Sequence, residues 1–382
     1  MNTNHLFRTL SPLVLCMSVQ AQPRAALPPL PAPMSIPTPA PATDAPYAPQ
    51  AILQGGLVVS LYPSGSPILK ADRVKEPEKY TMSQAVPGRI SNVVNVHNPS
   101  IEFHPVEKGL NTGAVVILAP GGGHRTLVVG GEGADPVPFF YNYGVNTVIL
   151  RYRLRVDGYV AEKDAVDDAL QAIRMVRAYA KEWNVDPNKI GIMGFSAGAE
   201  LAAPAALLYD EFDKAHSDPS DPLAGITSRP DFTALIYPGP TPFARGRTAP
   251  AIPKNVPPAW ITCPGSGDRV HAIWAMEYYN AMLALSVPNI EMMLYGNGVH
   301  GGALTSRNGI PFGTWQYRFI DWFRDLGFLE KPGVETKAAK DVAKYVSEPL
   351  PRPFGQRPSG VGPGSARPGS GTSGPPIAPP KP

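Results

Sequence analysis

The chain has 382 residues and a formal net charge of +3, from 34 Lys and Arg against 31 Asp and Glu, with no Lys/Arg cluster interleaved with aromatic residues. That balance excludes the extended basic surface that neutralises phosphates, so nucleic acid is not an expected partner. Neither C-x-x-C nor H-E-x-x-H occurs, which leaves no sequence basis for a metal or other cofactor.

In chain order, residues 1–21 have the pattern of a secretory signal peptide: Arg8, an apolar run from Leu10 to Val19, then Val19-Gln20-Ala21 with a small residue at the cleavage point. The run is too short to span a bilayer, and no later segment predicts a membrane span. Lipid modification of Cys16 is the alternative, but Leu15 before it is too bulky for the usual lipoprotein cleavage site. Cleavage leaves Cys263 as the only cysteine, so the secreted or periplasmic protein is expected to have no intramolecular disulfide. Residues 22–50 contain ten prolines and read as a linker. The segment 349–382, with eleven prolines and seven glycines, reads as a disordered tail. Between them, 51–332 has the size of one α/β domain, with 333–348 as a short peripheral helix.

Within the domain, Ile90–Val96 and Ile101–His104 predict two strands forming an antiparallel edge of the main sheet. From residue 111, strand and helix patterns alternate, which predicts a mostly parallel central sheet with helices on both faces. The expected strands are Ala114–Ala119, Val145–Tyr152, Lys189–Met193, Phe232–Tyr237, Pro258–Cys263 and Ile290–Tyr295. The expected helices are Pro136–Tyr143, Asp164–Trp183, Ala199–Tyr209 (with Pro204 able to kink it), Ala272–Leu285 and Trp315–Leu326. The strongest is Asp164–Trp183, where Val166, Leu170, Ile173, Val176, Ala180 and Trp183 recur at steps of three and four. The proline-rich stretch Pro238–Pro257 reads equally as a pocket wall or a surface loop.

Gly194-Phe195-Ser196-Ala197-Gly198 is the single G-x-S-x-G match in the chain. An apolar strand precedes it and an Ala/Leu-rich helix follows, the context of a nucleophile elbow rather than of a structural Gly-rich turn. The Ala197 N–H, at the helix start, is expected to face the oxygen that gains charge during acyl transfer. A serine nucleophile needs a base, and the base an acid; in this architecture they follow in the order Ser, Asp or Glu, His. Of the seven histidines, His5, His97, His104 and His124 precede the serine, and His216 and His271 leave no good place for the acid. His300, in a Gly-rich loop after the last predicted strand, is the candidate base; its bland reading is a solvated loop residue. Asp268, on a Gly-rich turn after the preceding strand, is the candidate acid; its alternative role is a helix N-cap. Gly121-Gly122-Gly123 after the first buried strand can turn backbone N–H groups inward as a second oxyanion donor. A phosphate cradle would want G-x-G-x-x-G or a P-loop lysine, which are absent.

These residues together resemble the α/β-hydrolase-fold carbohydrate esterases, acetylxylan- and feruloyl-esterase-like enzymes similar to the hormone-sensitive-lipase group. The resemblance runs from Leu57 to Phe328. It rests on Pro120-Gly121-Gly122-Gly123-His124, Arg151-Tyr152-Arg153-Leu154, the serine motif, Arg229-Pro230-Asp231-Phe232, Gly267-Asp268 and Val299-His300-Gly301. It implies Ser196 as nucleophile, Asp268 as acid, His300 as base, and Gly122, Gly123 and Ala197 as the oxyanion hole. The chain departs at Pro120, where the related group usually has His, and at Ala199-Glu200, where Gly-His is expected.

The expected activity is a serine esterase acting on short acyl groups, acetyl first, of carbohydrate such as xylan or of a small ester substrate. The rivals are a peptidase or lipase-like esterase of the same fold, and a catalytically inactive binding module. Oligomeric state and the role of the tail are left open by the sequence.

Overall fold

The computed structural model describes residues 45–304 and 311–349. The segment expected as a signal peptide, most of the linker and the tail beyond Pro349 lie outside these residues. Largely apolar runs become strands buried on both faces. Val115–Ala119 (β5), Asn146–Arg151 (β6), Ile190–Phe195 (β7), Thr233–Ile236 (β8) and Ala259–Pro264 (β9) are buried throughout. Each is too apolar for a solvated face, so helices must cover both sides.

With β1 (Leu57–Ser60), β4 (Ser100–His104) and β10 (Glu291–Tyr295), these strands form an eight-stranded sheet in the order β1-β4-β6-β5-β7-β8-β9-β10. Pairing is antiparallel for β1 with β4 and β4 with β6, and parallel from β6 to β10. The expected antiparallel edge is therefore half right. Ser100–His104 joins the main sheet, but Ile90–Val94 (β3) pairs with Lys79–Met82 (β2) in a separate two-stranded ribbon. The burial of the two strands gives the reason: β4 is buried along its whole length, while β3 is only partly covered and suits a peripheral ribbon.

The helices are α1 (Pro136–Tyr141), α2 (Val166–Ala178), α3 (Ala199–Ala215), α4 (Arg269–Ala284), α5 (Trp315–Asp325) and α6 (Lys337–Ser347). Pro204 does not end α3, which runs six residues beyond the expected Tyr209; proline costs the Glu200 carbonyl its i+4 donor without stopping the chain. On α5, Phe319 and Phe323 pack with Phe232, Trp260 and Phe328. Thr336 caps α6 by accepting the Ala339 N–H at 3.0 Å. Tyr47 and Gln50, inside the expected linker, are held by Val74, Asn98 and Arg151. Among the described residues no helix is long and apolar enough to cross a membrane.

Two motifs prove to be braces. Arg153 and Asp168, both buried, pair through the guanidinium, with Nη2 2.8 Å and Nε 3.0 Å from the carboxylate. Asp231 accepts from Arg177 and from the Ile190 N–H at the start of β7. Asp168→Ala leaves the Arg153 charge buried without its partner, and is expected to lower the unfolding free energy by about 3–5 kcal/mol in denaturant titration.

Candidate active site

Every candidate group sits just past the C-terminal end of a neighbouring parallel strand, the rim where open α/β sheets bind ligands. The Gly-rich loop follows β5, Ser196 follows β7, Tyr237 follows β8, Asp268 follows β9, and His300 follows β10.

Ser196 has φ +50°, an uncommon backbone conformation for a residue with a Cβ. The turn closes because its flanking residues are glycines. A Cβ on Gly194 would meet the Gly198 carbonyl oxygen at 2.3 Å, and one on Gly198 would meet that of Ala119 at 1.9 Å. The strand, the elbow and α3 thus touch backbone to backbone, which tips the serine out of the sheet.

Ser196 Oγ lies 2.8 Å from His300 Nε2, and His300 Nδ1 lies 2.6 Å from Asp268 Oδ2. A carboxylate only accepts, so Nδ1 carries the proton, and the neutral ring is left with an Nε2 lone pair toward the serine hydroxyl. Asp268 is buried while the His300 side chain is about a third exposed (35%), so the relay runs from the interior to the open rim. This arrangement can accept the serine proton and hold the resulting imidazolium against a buried anion.

Gly122 has φ +127°, and a Cβ there would meet the Thr126 carbonyl oxygen at 2.1 Å, so the loop folds tightly beside the serine. Among the described residues, the N–H groups of Gly122, Gly123 and Ala197 donate to no acceptor. The neighbouring Gly121 N–H is committed to Glu132 Oε2 at 2.6 Å, and Tyr152 Oη donates to the Pro120 carbonyl at 2.6 Å. The loop is therefore anchored at its base, with free donors beyond.

Three residues that sequence reasoning passed over complete the surroundings. Tyr237 donates to Glu132 Oε1 at 2.7 Å, accepts from the Ala303 N–H at 3.1 Å, and contacts the His300 ring edge-on. Glu132 is buried in the π-helical turn Gly130–Ala134, and burial pushes its carboxyl above the ordinary range despite its two donors. Glu132 and Tyr237 thus tie the Gly-rich loop to the histidine loop. Tyr237→Phe removes both bonds and leaves Glu132 Oε1 buried without its donor; it should lower stability by about 2 kcal/mol, read from the denaturant midpoint at constant slope.

The third is His271, set aside as a base. It lies on Asp268 itself, Nδ1 2.5 Å from Oδ1, with its ring stacked on His300 at 3.8 Å. The D-x-x-H spacing at a helix start is the signal that could have found it. The other histidines before Ser196 have local roles: His97 bonds to Tyr159 and Asn95, and His104 to Glu102. His124 is buried in the Gly-rich loop, with Nε2 3.6 Å from Glu200 Oε2. Arg247, from the stretch Pro238–Pro257, lines a small cavity with both, so that stretch borders the region beside α3.

The BD-FAE family model matches residues 106–226. Endo-1,4-beta-xylanase B of Butyrivibrio fibrisolvens is 28% identical over 222 residues, 52% of this chain and 34% of its own length. The acetylxylan esterase of Xylanibacter ruminicola is 25% identical over 242 residues, 56% of this chain and 45% of its own. This chain thus spans less than half the length of either relative. Among solved structures, an acetyl ester-xyloside bifunctional hydrolase from Caldicellulosiruptor lactoaceticus superposes with TM-score 0.57 at 23% identity, covering 72% of this chain and 97% of that one. A thermophilic esterase from Thermogutta terrifontis gives 0.50 at 20% identity, covering 67% and 95%. The chain has the α/β-hydrolase fold and is similar to the carbohydrate esterases built on it.

Proposed function

We propose that this chain is an exported serine esterase that removes short acyl groups, acetyl first, from carbohydrate such as xylan. The observation that carries the reading is the continuous relay from Ser196 Oγ through His300 to Asp268, with uncommitted backbone N–H groups beside it. Ser196 attacks the ester carbonyl as His300 takes its proton, and Asp268 orients the ring and balances its charge. The carbonyl oxygen becomes an oxyanion facing the N–H groups of Gly122, Gly123 and Ala197. Collapse of that intermediate breaks the ester bond, and His300 returns the proton to the departing sugar alkoxide. A water molecule, deprotonated by His300, then attacks the acyl-Ser196 ester; its breakdown frees the acid and returns the proton to Ser196.

The acetyl and xylan assignment draws on what two relatives are called, an acetylxylan esterase and a xylanase, and on the xyloside hydrolase among the structural neighbours. The test is acetate release from acetylated xylan, run beside feruloyl and longer acyl esters. A preference for long chains, or no hydrolysis of any ester, removes the assignment. Export is checked by the mature N-terminus, expected at Gln22.

A further inference from the structure

Asp268 is shared. Its Oδ2 faces His300 Nδ1 at 2.6 Å and its Oδ1 faces His271 Nδ1 at 2.5 Å, and the two rings stack at 3.8 Å with 23° between planes. His271 is the third residue of α4, so the helix that begins at Arg269 fixes it beside the carboxylate. An ionised carboxylate only accepts, so both imidazoles present Nδ1–H to it, with their Nε2 atoms turned away from Asp268. The relay is thus one anion holding two bases, of which His300 reaches the serine.

We propose that His271 is a positioning residue that sets the pH range of the relay, by occupying half of the Asp268 carboxylate and so weakening its hold on protonated His300. This rests on the esterase reading and deepens it. One carboxylate balances one imidazolium. A second, stacked at 3.8 Å, would face the first without a counter-charge, so the trio takes up one extra proton and resists another. His271 donation also satisfies Oδ1, which lowers the basicity left for His300. The base then stays neutral, and able to accept the serine proton, to lower pH than a relay with an undivided aspartate.

The surroundings favour this division. Burial first, and then the His300 charge, hold His271 below the ordinary histidine range, so it serves as a neutral donor. From β9, the Cys263 thiol lies 3.9 Å from Oδ2, and burial keeps it protonated. From α3, Glu200 acts on His271 in the opposite sense, as does Asp268 itself. From the turn after the Gly-rich loop, Glu132 feels the His300 charge, which lowers its carboxyl against the larger effect of burial, and the Tyr237 ring meets His300 from the end of β8. Trp274, on α4, covers His271 edge-on and carries no charge.

The test compares His271→Phe, which keeps a ring over His300 but has no donor, with His271→Asn, whose amide nitrogen can replace Nδ1. The readout is kcat/KM against pH on a small chromogenic acetate ester. His271→Phe is expected to move the acid limb up by about 1 pH unit, the size of one hydrogen bond to a charged group, with the plateau within a few-fold of wild type. His271→Asn is expected to stay on the wild-type limb. An unmoved limb in His271→Phe overturns the proposal, as does an equal shift in both variants or a lowered plateau with no shift.

Proton NMR of the free protein reads the shared carboxylate without any turnover. Two far-downfield imidazole N–H signals are expected, one of them lost in His271→Phe while the other moves further downfield. A single signal in the wild type overturns the proposal. A wild type that shows both signals but hydrolyses no ester removes the esterase reading instead.

Discussion

Ser196→Ala is expected to lower kcat/KM on a small acetate ester by at least about 10³-fold, with little change in the thermal unfolding midpoint. The hydroxyl supplies the attacking oxygen, and the water-filled variant retains only binding and oxyanion donors. The fold should tolerate the change because Gly194 and Gly198, not the serine side chain, allow the strand–helix contact at the elbow. Alanine at φ +50° carries the same backbone strain as serine, and the variant loses one hydrogen bond, to His300 Nε2. The acyl-enzyme burst must vanish with the steady-state rate. Retention of most of the activity would place the nucleophile elsewhere and remove the reading of the whole relay.

What the sequence made legible follows from how locally each feature is encoded. The elbow is a contiguous motif with an apolar strand before it, so its position could be read directly. The buried parallel strands were readable because runs such as Val115–Ala119 have no polar face. The edge of the sheet was harder. The strands β1 and β2 are four residues each and only partly buried, so neither carries a strong period, and the pairing of β3 with β2 could not be inferred from β3 alone.

The site shows the same limit. His271 was weighed only as a base and set aside because it leaves no good place for the acid; its pairing with Asp268 depends on α4 starting at Arg269, which puts it on the first turn beside the carboxylate. Glu132 and Tyr237 lie 105 residues apart, and only the neighbouring positions of β5, β7 and β8 in the sheet bring them together.

Asp268→Asn is expected to preserve the fold and to cost about 10⁴-fold in kcat, by analogy with the buried aspartate of serine proteases. Two losses combine. The amide has no charge, so the imidazolium formed when His300 takes the serine proton loses its counter-ion. The amide also has one acceptor and one donor, where the carboxylate offered an acceptor to each of two rings. Whichever ring meets the NH₂ must present a bare Nδ1 and carry its proton on Nε2. For His300 that tautomer cannot accept from Ser196. For His271 it is harmless, so the variant's residual rate reports which ring wins the amide oxygen. Removing His271 from the variant, as Asp268→Asn with His271→Ala, should therefore raise the residual rate by freeing the oxygen for His300. If Asp268→Asn instead ran near the wild-type rate while Glu132→Gln abolished turnover, the acid would be Glu132, the buried carboxylate bonded to the tyrosine that touches the His300 ring, and the serine and histidine assignments would stand.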